Sequence, residues 1–393
     1  MKNSLRLRVL FLSAVAASEA YAAYAPIPTK DPDKDFTVSL SAAITHDSNI
    51  FGSASGAIDS LVYRLAPKVA YAGSLTDQTY LSAAYGLAID QFENRPGDKT
   101  LLGHDLMARV VHAFSSVTNV SLTDNFVVAK NPESLLAGIP VNTDQSYQSN
   151  QFDAVFSTAP TKKVGLTVKA RSMLYDYRSG PLGRNLDRTE DLFAVAGDYA
   201  VLPEVKGIAE YRHQIVSYRS LSDNKDKRSD LFLAGIDYAV GPKISASSRL
   251  GVEFRRRSAE RSTTVPYAEF SGRYAGGEQA FVSAGYVFTL EEASDVARFT
   301  DIEVNRFFVN ARHPLTPRII ASGSLTYEPS RLKGRRGQRD LDEETTRLGG
   351  ALTYLAAKNW SVAATYDYDE ITSKDSSRKQ VRHRAGVSAT YAF

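Results

Sequence analysis

The sequence predicts an all-β fold: a closed antiparallel β-barrel of about eighteen strands that spans a membrane. Three observations lead to this prediction. Stretches of alternating apolar and polar residues recur from Phe36 to the end of the chain. Short turns alternate with longer, more polar connections between these stretches. After the first residues, no apolar run is long enough for a transmembrane helix, so a mature chain in a membrane has to cross it with strands.

Composition supports long strands and excludes several functional classes. The 393 residues include 21 Tyr and 18 Phe, which favour strands, but one Trp and no Cys. The absence of Cys suits an exported protein whose stability does not come from disulfides. The formal net charge is only +3, from 47 Lys and Arg against 44 Asp and Glu. No overall positive field therefore argues for nucleic acid as a partner.

The N-terminus has the pattern of a secretory signal peptide. Lys2, Arg6 and Arg8 precede the apolar run Val9 to Ala17, and Ala20-Tyr21-Ala22 follows as a small-x-small cleavage site. The apolar run is too short to span a bilayer. We therefore predict a signal peptide at 1–22, a short periplasmic segment at 23–35 and a transmembrane β-barrel at 36–393.

The alternation predicts which face of each strand meets lipid. In the last stretch, Val381, Val387 and Tyr391 fall on one side, whereas Arg382 and Arg384 fall on the other. Successive side chains of a strand point to opposite faces, so the apolar side can meet lipid and the polar side can meet water.

The punctuation between the stretches predicts the strand count. Eight short turns are expected at Gly73 to Thr76, Ser115 to Thr118, Pro160 to Lys162, Leu202-Pro203, Gly241-Pro242, Gly276-Gly277, Pro314 to Pro317 and Ala357 to Asn359. Nine longer connections are expected at His46 to Ile58, Asn94 to Lys99, Asn131 to Asp144, Ser179 to Leu186, Ser220 to Asp226, Ser258 to Ser262, Ala293 to Arg298, Pro329 to Asp340 and Thr372 to Arg378. Together they join eighteen strands, with short turns and both termini on the periplasmic side. A soluble sandwich is the alternative, but its strands are nearer five or six residues.

Two segments carry a family resemblance: the first hairpin, Thr45-His46-Asp47-Ser48-Asn49-Ile50-Phe51, and the closing stretch, Ala389-Thr390-Tyr391-Ala392-Phe393. With the signal peptide, they resemble outer-membrane β-barrel proteins of the β-barrel porin type, which are often encoded beside exopolysaccharide genes. The resemblance implies a bacterial outer-membrane location and a role in polysaccharide export. It names no functional residues.

Charged side chains on the predicted inner face are the candidate site. The pore-lining candidates are Arg171, Arg249, Arg255, Arg318, Arg347, Arg382 and Arg384. Rings of Arg and Lys favour anionic solutes or an acidic polysaccharide, so we expect a porin-like channel with a mildly basic lumen. The alternative is that these charges pair with neighbouring carboxylates and only hydrate the wall. Glu210 with Arg212 and Glu253 with Arg255, two residues apart on one face, illustrate that alternative.

The third long connection is the most apolar of the nine. Because burial of each large apolar side chain is favourable, we expect this loop to fold against the barrel mouth or onto itself. Its candidate constriction residues are Leu135, Leu136 and Ile139.

Other functions have less support in the sequence. The six His residues show no metal-ligand spacing, and we expect no metal or other cofactor. An outer-membrane hydrolase is an alternative, for which His46-Asp47-Ser48 is the one tight cluster. We expect no enzyme; a structural or adhesive barrel with a closed lumen is the other alternative. The expected partners are outer-membrane lipid, the barrel-insertion machinery and lipopolysaccharide, whose phosphates the basic runs around Arg256 and Arg335 could contact.

Overall fold

In the computed structural model, the chain forms one closed sheet of eighteen antiparallel strands. The structure describes residues 35–129, 146–178, 180–219, 225–241, 243–258, 262–277, 279–293, 298–335 and 337–393. The predicted signal peptide lies outside these ranges and stays a prediction. The predicted β-barrel and its strand number are confirmed.

Every strand is long enough to cross a bilayer at a tilt. The strands are β1 (Phe36–Asp47), β2 (Ser60–Thr76), β3 (Thr79–Phe92), β4 (Thr100–Ala113), β5 (Thr118–Ala129), β6 (Tyr147–Thr158), β7 (Val164–Tyr177), β8 (Arg188–Leu202), β9 (Val205–Tyr218), β10 (Lys227–Val240), β11 (Ile244–Arg257), β12 (Thr263–Ala275), β13 (Phe281–Glu292), β14 (Phe299–Thr316), β15 (Ile319–Gly334), β16 (Leu341–Ala357), β17 (Trp360–Ser373) and β18 (Gln380–Ala392). Two short helical segments lie in loops, α1 (Gly180–Leu186) and a 3₁₀ turn (Ser376–Arg378). Among the described residues, no helix is long and apolar enough to span a membrane.

The barrel closes by pairing its first strand with its last. β1 pairs with β2 on one side and with β18 on the other, in a register that places Leu40 opposite Tyr391 and Asp47 opposite Arg384. The backbone N–H of Phe393 extends this pairing by donating to the carbonyl of Val38 at 2.9 Å. Closure leaves neither terminal strand as an open edge along this register.

The two faces of the sheet differ as the alternation predicts. Large apolar side chains are exposed on the outer face, including Phe232 at 54%, Leu250 at 52% and Val387 at 57%. Such exposure is explained by a hydrocarbon surrounding. The intervening residues, such as Arg249 and Arg384, point to the inside of the barrel. The charged groups therefore line the lumen rather than the outer surface.

The short turns lie at one end of the barrel, the turn end, and the longer connections at the other, the loop end. Three of the turns start from a Thr whose hydroxyl accepts backbone N–H groups. Thr161 Oγ1 accepts from Val164 at 3.0 Å, and Thr316 Oγ1 accepts from Ile319 at 3.0 Å. Thr76 Oγ1 accepts from Gln78 at 3.2 Å. These side chains satisfy donors that the tight turns leave outside the ladder.

Some predicted boundaries are wrong. The β2–β3 turn is formed by Asp77 and Gln78, whereas Gly73 lies within β2. A Cβ at Gly73 would come within 2.8 Å of the Tyr71 hydroxyl. This glycine therefore marks a close contact within the strand and not a turn. The loop predicted to begin at Pro329 begins six residues later, because β15 continues to Gly334. The fourth loop contains α1, a short helix that the sequence pattern does not predict.

One ladder in the barrel wall is shorter than its strands. Pairing between β12 and β13 starts at the turn end and stops at Ala268 opposite Phe288. Residues 263–267 of β12 pair with β11 alone, while residues 289–292 of β13 pair with β14 alone. Pro266 lies on this free edge and has no N–H to donate. The wall is therefore split between these two strands over its loop-end part.

Candidate functional site: a charged lumen

Six of the seven candidate arginines lie on the inner face of strands. These are Arg171, Arg249, Arg255, Arg347, Arg382 and Arg384. The seventh prediction, Arg318, needs correction. It lies exposed in the β14–β15 turn, between Thr316 and Ile319, which are the last pair of that ladder. The turn, set by the Thr316 hydroxyl, carries Arg318 past the end of the wall.

The best-defined ion pair at the loop end joins the last strand to the first. Arg382 Nε donates to Asp47 Oδ1 at 3.0 Å, and its Nη2 donates to Asp47 Oδ2. Both side chains are buried. Asp47 also accepts the backbone N–H of Asn49 at 3.0 Å, and so holds the first loop against the closing seam. The bidentate geometry makes this pair directional as well as electrostatic.

A second cluster bridges the split between β12 and β13 from inside. Arg255, on β11, is only 2% exposed. Its Nε donates to Glu253 at 2.8 Å, its Nη1 donates to Asp301 on β14, and its Nη2 donates to the backbone carbonyl of Leu290 on β13 at 2.7 Å. The guanidinium thus reaches across β12 and supplies a partner to a β13 carbonyl.

The neighbouring arginine completes this bridge. Arg257 Nη2 contacts Asp301 Oδ1 at 2.5 Å and Glu292 Oε2 at 3.1 Å. Glu292 also accepts from Lys227 Nζ at 2.7 Å and from the Tyr218 hydroxyl at 2.8 Å. We call Arg255, Arg257, Glu292 and Asp301 the latch. It connects β11 to β13 and β14 where the backbone ladder is missing.

The upper end of β13 leans into the lumen. Glu291 and Glu292 are consecutive, and a flat strand would point them to opposite faces. Both contact inner-face cations: Glu291 pairs with Arg306 at 3.0 Å, and Glu292 pairs with Lys227. Leu290 beside them is buried, at 8% exposure. This end of β13 therefore turns toward the inner face of the barrel.

Further down the wall, arginines and carboxylates alternate around β9–β11. Arg249 Nη1 lies 2.7 Å from Asp237 Oδ1, and its Nε lies 3.6 Å from Glu210. Glu210 also accepts from Arg212 Nε at 2.8 Å. Arg171 pairs in the same way with Asp153 on β6, at 2.6 Å. At these positions the arginines pair with neighbouring carboxylates, which is the alternative that the sequence left open.

The opposite wall shows the same arrangement. Arg306 Nε donates to Glu328 Oε2 at 2.6 Å. Arg384 Nη2 donates to Asp369 Oδ2 at 3.1 Å, and Arg347 stands directly across from Asp369 in the β16–β17 ladder. The lumen is lined by neutralised pairs on both sides, and a polar solute meets donors and acceptors together.

The turn end is different. Arg273 on β12 and Arg312 on β14 flank Phe281 and Ser283 of β13 on the inner face. Within the described ranges, neither guanidinium has a carboxylate at ion-pair distance. The Arg273 guanidinium lies 4.3 Å from the centre of the Phe281 ring. These two arginines place positive charge on the inner face at the turn end.

Ion pairs also order the loops at the other end. Arg378, in the ninth loop, donates Nη2 to Glu343 Oε2 at 2.7 Å, and both residues are buried. Arg298 Nη1 donates to Asp375 Oδ2 at 2.7 Å. Hydrogen bonds from Ser377 and then from Arg298 lower the pKa of Asp375 to about 2.

Sequence reasoning missed the partners of several candidate arginines. Asp47 and Asp153 sit at strand positions where alternation places them inside, and following the alternation to the end of β1 would have found Asp47. Asp301 has the same parity as the outward-facing Phe307 and Val309. It reaches Arg255 and Arg257 next to a register shift between Phe299 and Ile302, which alternation does not predict. The predicted constriction residues Leu135, Leu136 and Ile139 lie outside the described residues, and their role stays a prediction.

Residues 287–393 match the family described as Putative beta-barrel porin 2. The matched segment runs from β13 through β18, which closes the barrel onto β1. The chain is a β-barrel of the bacterial outer membrane, and its C-terminal part is similar to that porin family. In a transmembrane barrel, the groups that face the lumen are the candidates for contact with solutes.

Comparison of this barrel with solved structures finds similarity at low sequence identity. Pseudomonas aeruginosa OccK5 (OpdH) is 12% identical, with 91% of this chain and 98% of that chain covered and a TM-score of 0.47. Pseudomonas aeruginosa opdK, an outer membrane protein, is 12% identical, with 91% and 99% covered and a TM-score of 0.47. Acinetobacter baumannii OccAB3 is 9% identical, with 91% and 100% covered and a TM-score of 0.46. No curated protein sequence matches the chain.

Proposed function

We propose that this barrel is a channel with a mildly basic lumen that passes exopolysaccharide, or other hydroxyl-rich and anionic solutes, from the periplasm to the cell surface. The observation that carries the proposal is the distribution of charge along the lumen. In the part of the chain that the structure describes, Arg273 and Arg312 have no carboxylate partner at the turn end, and paired arginines and carboxylates line the wall beyond them. An anionic polymer would meet attraction first and a nearly neutral, polar wall afterwards.

The paired wall suits passage better than retention. An isolated row of guanidinium groups would hold a polyanion tightly, whereas a conducting path needs binding that is weak and repeated. At Arg249 and Arg306, carboxylates already occupy the guanidinium groups. Sugar hydroxyls can both donate to these carboxylates and accept from the free N–H groups. A saccharide chain would therefore exchange hydrogen bonds along the wall at little cost.

The latch and the Arg382–Asp47 pair limit this path at the loop end. Arg255 and Arg382 are 2% and 6% exposed, so water and solute have little access to them. In the proposal, these contacts form the closed state of the channel, and transport requires them to part. Their burial also favours the second candidate function, a structural barrel with a closed lumen. Conductance separates the two candidates.

The experiment is recording in planar bilayers under a KCl gradient. A reversal potential that indicates anion preference is expected for the unmodified protein. Arg273→Gln with Arg312→Gln should reduce that preference, because it removes the positive charge at the opening. Lys162→Gln with Arg318→Gln is the matched control, since it removes two positive charges from exposed turns outside the wall, and it should change the reversal potential less.

A blocking measurement tests the substrate class. A galacturonic acid oligomer added on the turn side should block the current at lower concentration than a neutral glucose oligomer of equal length. Absence of any conductance in a folded, heat-modifiable barrel would support the structural barrel instead. Cation preference in the unmodified protein would contradict the basic lumen.

A further inference from the structure

On the outer face of β10–β12, a cleft opens at the loop end. Its volume is about 430 Å³, and its walls are formed by Asp230, Phe232, Phe254, Arg255, Arg256, Ser262, Thr263 and Thr264. The residues combine exposed aromatic rings with a guanidinium, hydroxyls and a carboxylate. Of these residues, Arg255 also belongs to the latch, whereas the others make none of the lumen contacts described above. The outward-facing part of the cleft is therefore distinct from the lumen, and its interpretation does not depend on transport through the barrel.

The cleft is apolar toward the membrane and basic toward the loops. Phe232 and Phe254 are 54% and 41% exposed, and their rings contact edge to face with centroids 6.1 Å apart. Arg256 follows two residues nearer the loop end of β11, and Arg228 stands directly opposite it on β10. Rings at the membrane boundary with cations just above them match the depth of acyl chains and headgroups.

The two arginines are a like-charged pair across neighbouring strands. Such a pair is unfavourable unless an anion lies between or beside the charges. Among the described residues, Asp230 contacts Arg256 Nη2 at 3.2 Å, and no carboxylate reaches Arg228. Asp230 is also shared with the Tyr211 hydroxyl at 2.7 Å and with His213 Nδ1 at 2.8 Å. The single carboxylate of Asp230 therefore accepts from three side chains and cannot neutralise both arginines, so the site has an excess of positive charge.

The neighbouring strand edge adds a second reason for a polar ligand at this place. Beyond Ala268, β12 has no partner on the side of β13, as described above. Backbone groups on such an edge cannot face hydrocarbon without a large cost. Thr263 and Thr264 begin this edge and border the cleft. A ligand with many oxygens, lying at headgroup depth, would satisfy both the edge and the arginines.

We propose that this cleft binds lipopolysaccharide of the outer leaflet. A lipid A phosphate would lie between Arg228 and Arg256, which can donate to it in bidentate fashion. An acyl chain would lie against Phe232 and Phe254. The hydroxyls of Ser262 and Thr264 would contact the glucosamine backbone. Asp230 faces the same space and orients Arg256, which limits the site to ligands that present a phosphate to both arginines.

The structure revises the basis of the sequence expectation for the Arg255–Arg257 run. Only Arg256 of the three points outward, because Arg255 and Arg257 are committed to the latch. The second arginine of the site is Arg228, which is remote in the sequence and lies opposite Arg256 through the pairing of β10 with β11. The basic site therefore arises from strand pairing and not from the three consecutive arginines.

The test is native mass spectrometry of the detergent-purified full chain titrated with lipid A that carries both phosphates. Arg228→Gln with Arg256→Gln should weaken binding about tenfold or more, since charge-assisted contacts to phosphate are worth roughly that much each. Arg331→Gln is the matched control. It also faces outward at the loop end and pairs with one carboxylate, Asp342, at 2.8 Å, but it has no second arginine opposite.

Four outcomes decide the proposal. The proposal is supported if the double variant loses lipid A binding while Arg331→Gln keeps it. Heat-modifiability on a gel must show that both variants are folded. Weaker binding of dephosphorylated lipid A by the unmodified protein supports the role of phosphate. Equal binding by the double variant overturns it. Phosphatidylglycerol or inorganic phosphate binding as tightly as lipid A overturns the assignment to lipopolysaccharide and leaves only a general anion site.

Discussion

Single side chains in this barrel act mainly through their partners. Arg382 and Asp47 are separated by 335 positions in the chain and meet as a buried, bidentate pair. Burying two charges has a large desolvation cost, which their attraction offsets only while both are present. The pair therefore contributes little net stability, but removing one partner leaves the other charge buried without a counter-ion, which is strongly destabilising.

This asymmetry gives a prediction for stability. Arg382→Gln leaves the Asp47 carboxylate buried without its cation and should cost roughly 3–5 kcal/mol in the free energy of unfolding. Adding Asp47→Asn removes the orphaned charge and should recover part of that loss. Urea unfolding of the barrel in liposomes measures both. Arg331→Gln, which breaks an exposed pair, should cost at most about 1 kcal/mol. Equal losses in Arg382→Gln and Arg331→Gln would contradict the argument.

The Asp375 carboxylate provides a pH-dependent contact. Its folded pKa of about 2 lies below the ordinary value of roughly 3.9. The carboxylate therefore stabilises the ninth loop above pH 4, and this contribution is lost as the pH falls toward 2. Amide exchange of residues 374–379, corrected for intrinsic rates, should show protection decreasing across that window. In Asp375→Asn, the amide protection of this loop should be low at every pH. If protection in the unmodified protein does not change with pH, the Asp375 carboxylate does not stabilise the loop.

At the scale of elements, the incomplete pairing of β12 and β13 is the feature with the clearest consequence. Continuing the register beyond Ala268 and Phe288 would place Pro266 opposite Leu290. Proline cannot donate to such a ladder, and the Arg255 guanidinium already occupies the Leu290 carbonyl. The split is thus maintained from both sides, by a missing donor on β12 and by a competing donor inside the lumen.

Cysteine pairs test the split directly, since the chain has no native Cys. Pro266→Cys with Leu290→Cys should form a disulfide slowly or not at all, because bridged residues need Cα atoms within roughly 7 Å. Ala284→Cys with Val309→Cys is the matched control, as these residues are directly paired in the β13–β14 ladder. Thiol titration after mild oxidation measures the result. Equally rapid bridging of the two pairs would show that the β12–β13 ladder is complete.

At the scale of the whole molecule, the sequence predicted the architecture well and the site only in part. Alternation has a period of two and is read locally, so it identified eighteen strands and the inward placement of Arg249 and Arg384. Turn positions followed Pro and Gly, with an error at Gly73, which lies within β2, where a Cβ would approach the Tyr71 hydroxyl. Pro329 misled because it lies within β15, at a position that the β14–β15 ladder skips between its Ser330 and Tyr327 pairs, so the missing N–H is tolerated.

What the sequence could not provide is the partner of each charge. The Arg382–Asp47 pair depends on the register between the first and last strands, which no local pattern encodes. The latch depends on β13 leaning inward, which brings Glu292 to Lys227 and Arg257. The short-range pairs, Glu210 with Arg212 and Glu253 with Arg255, were visible because two residues on one strand face are already neighbours.

The pairing of β1 with β18 also has a consequence in time. The chain is made and exported from its N-terminus, so Phe36–Asp47 emerges long before Gln380–Ala392 exists to pair with it. Until then, one edge of β1 offers unpaired N–H and C=O groups, and each later strand in turn becomes the other open edge. Such edges recruit other chains when they are left in water. The barrel must therefore be kept from aggregating throughout its passage across the periplasm, and the last strand to be made is the one that ends this exposure.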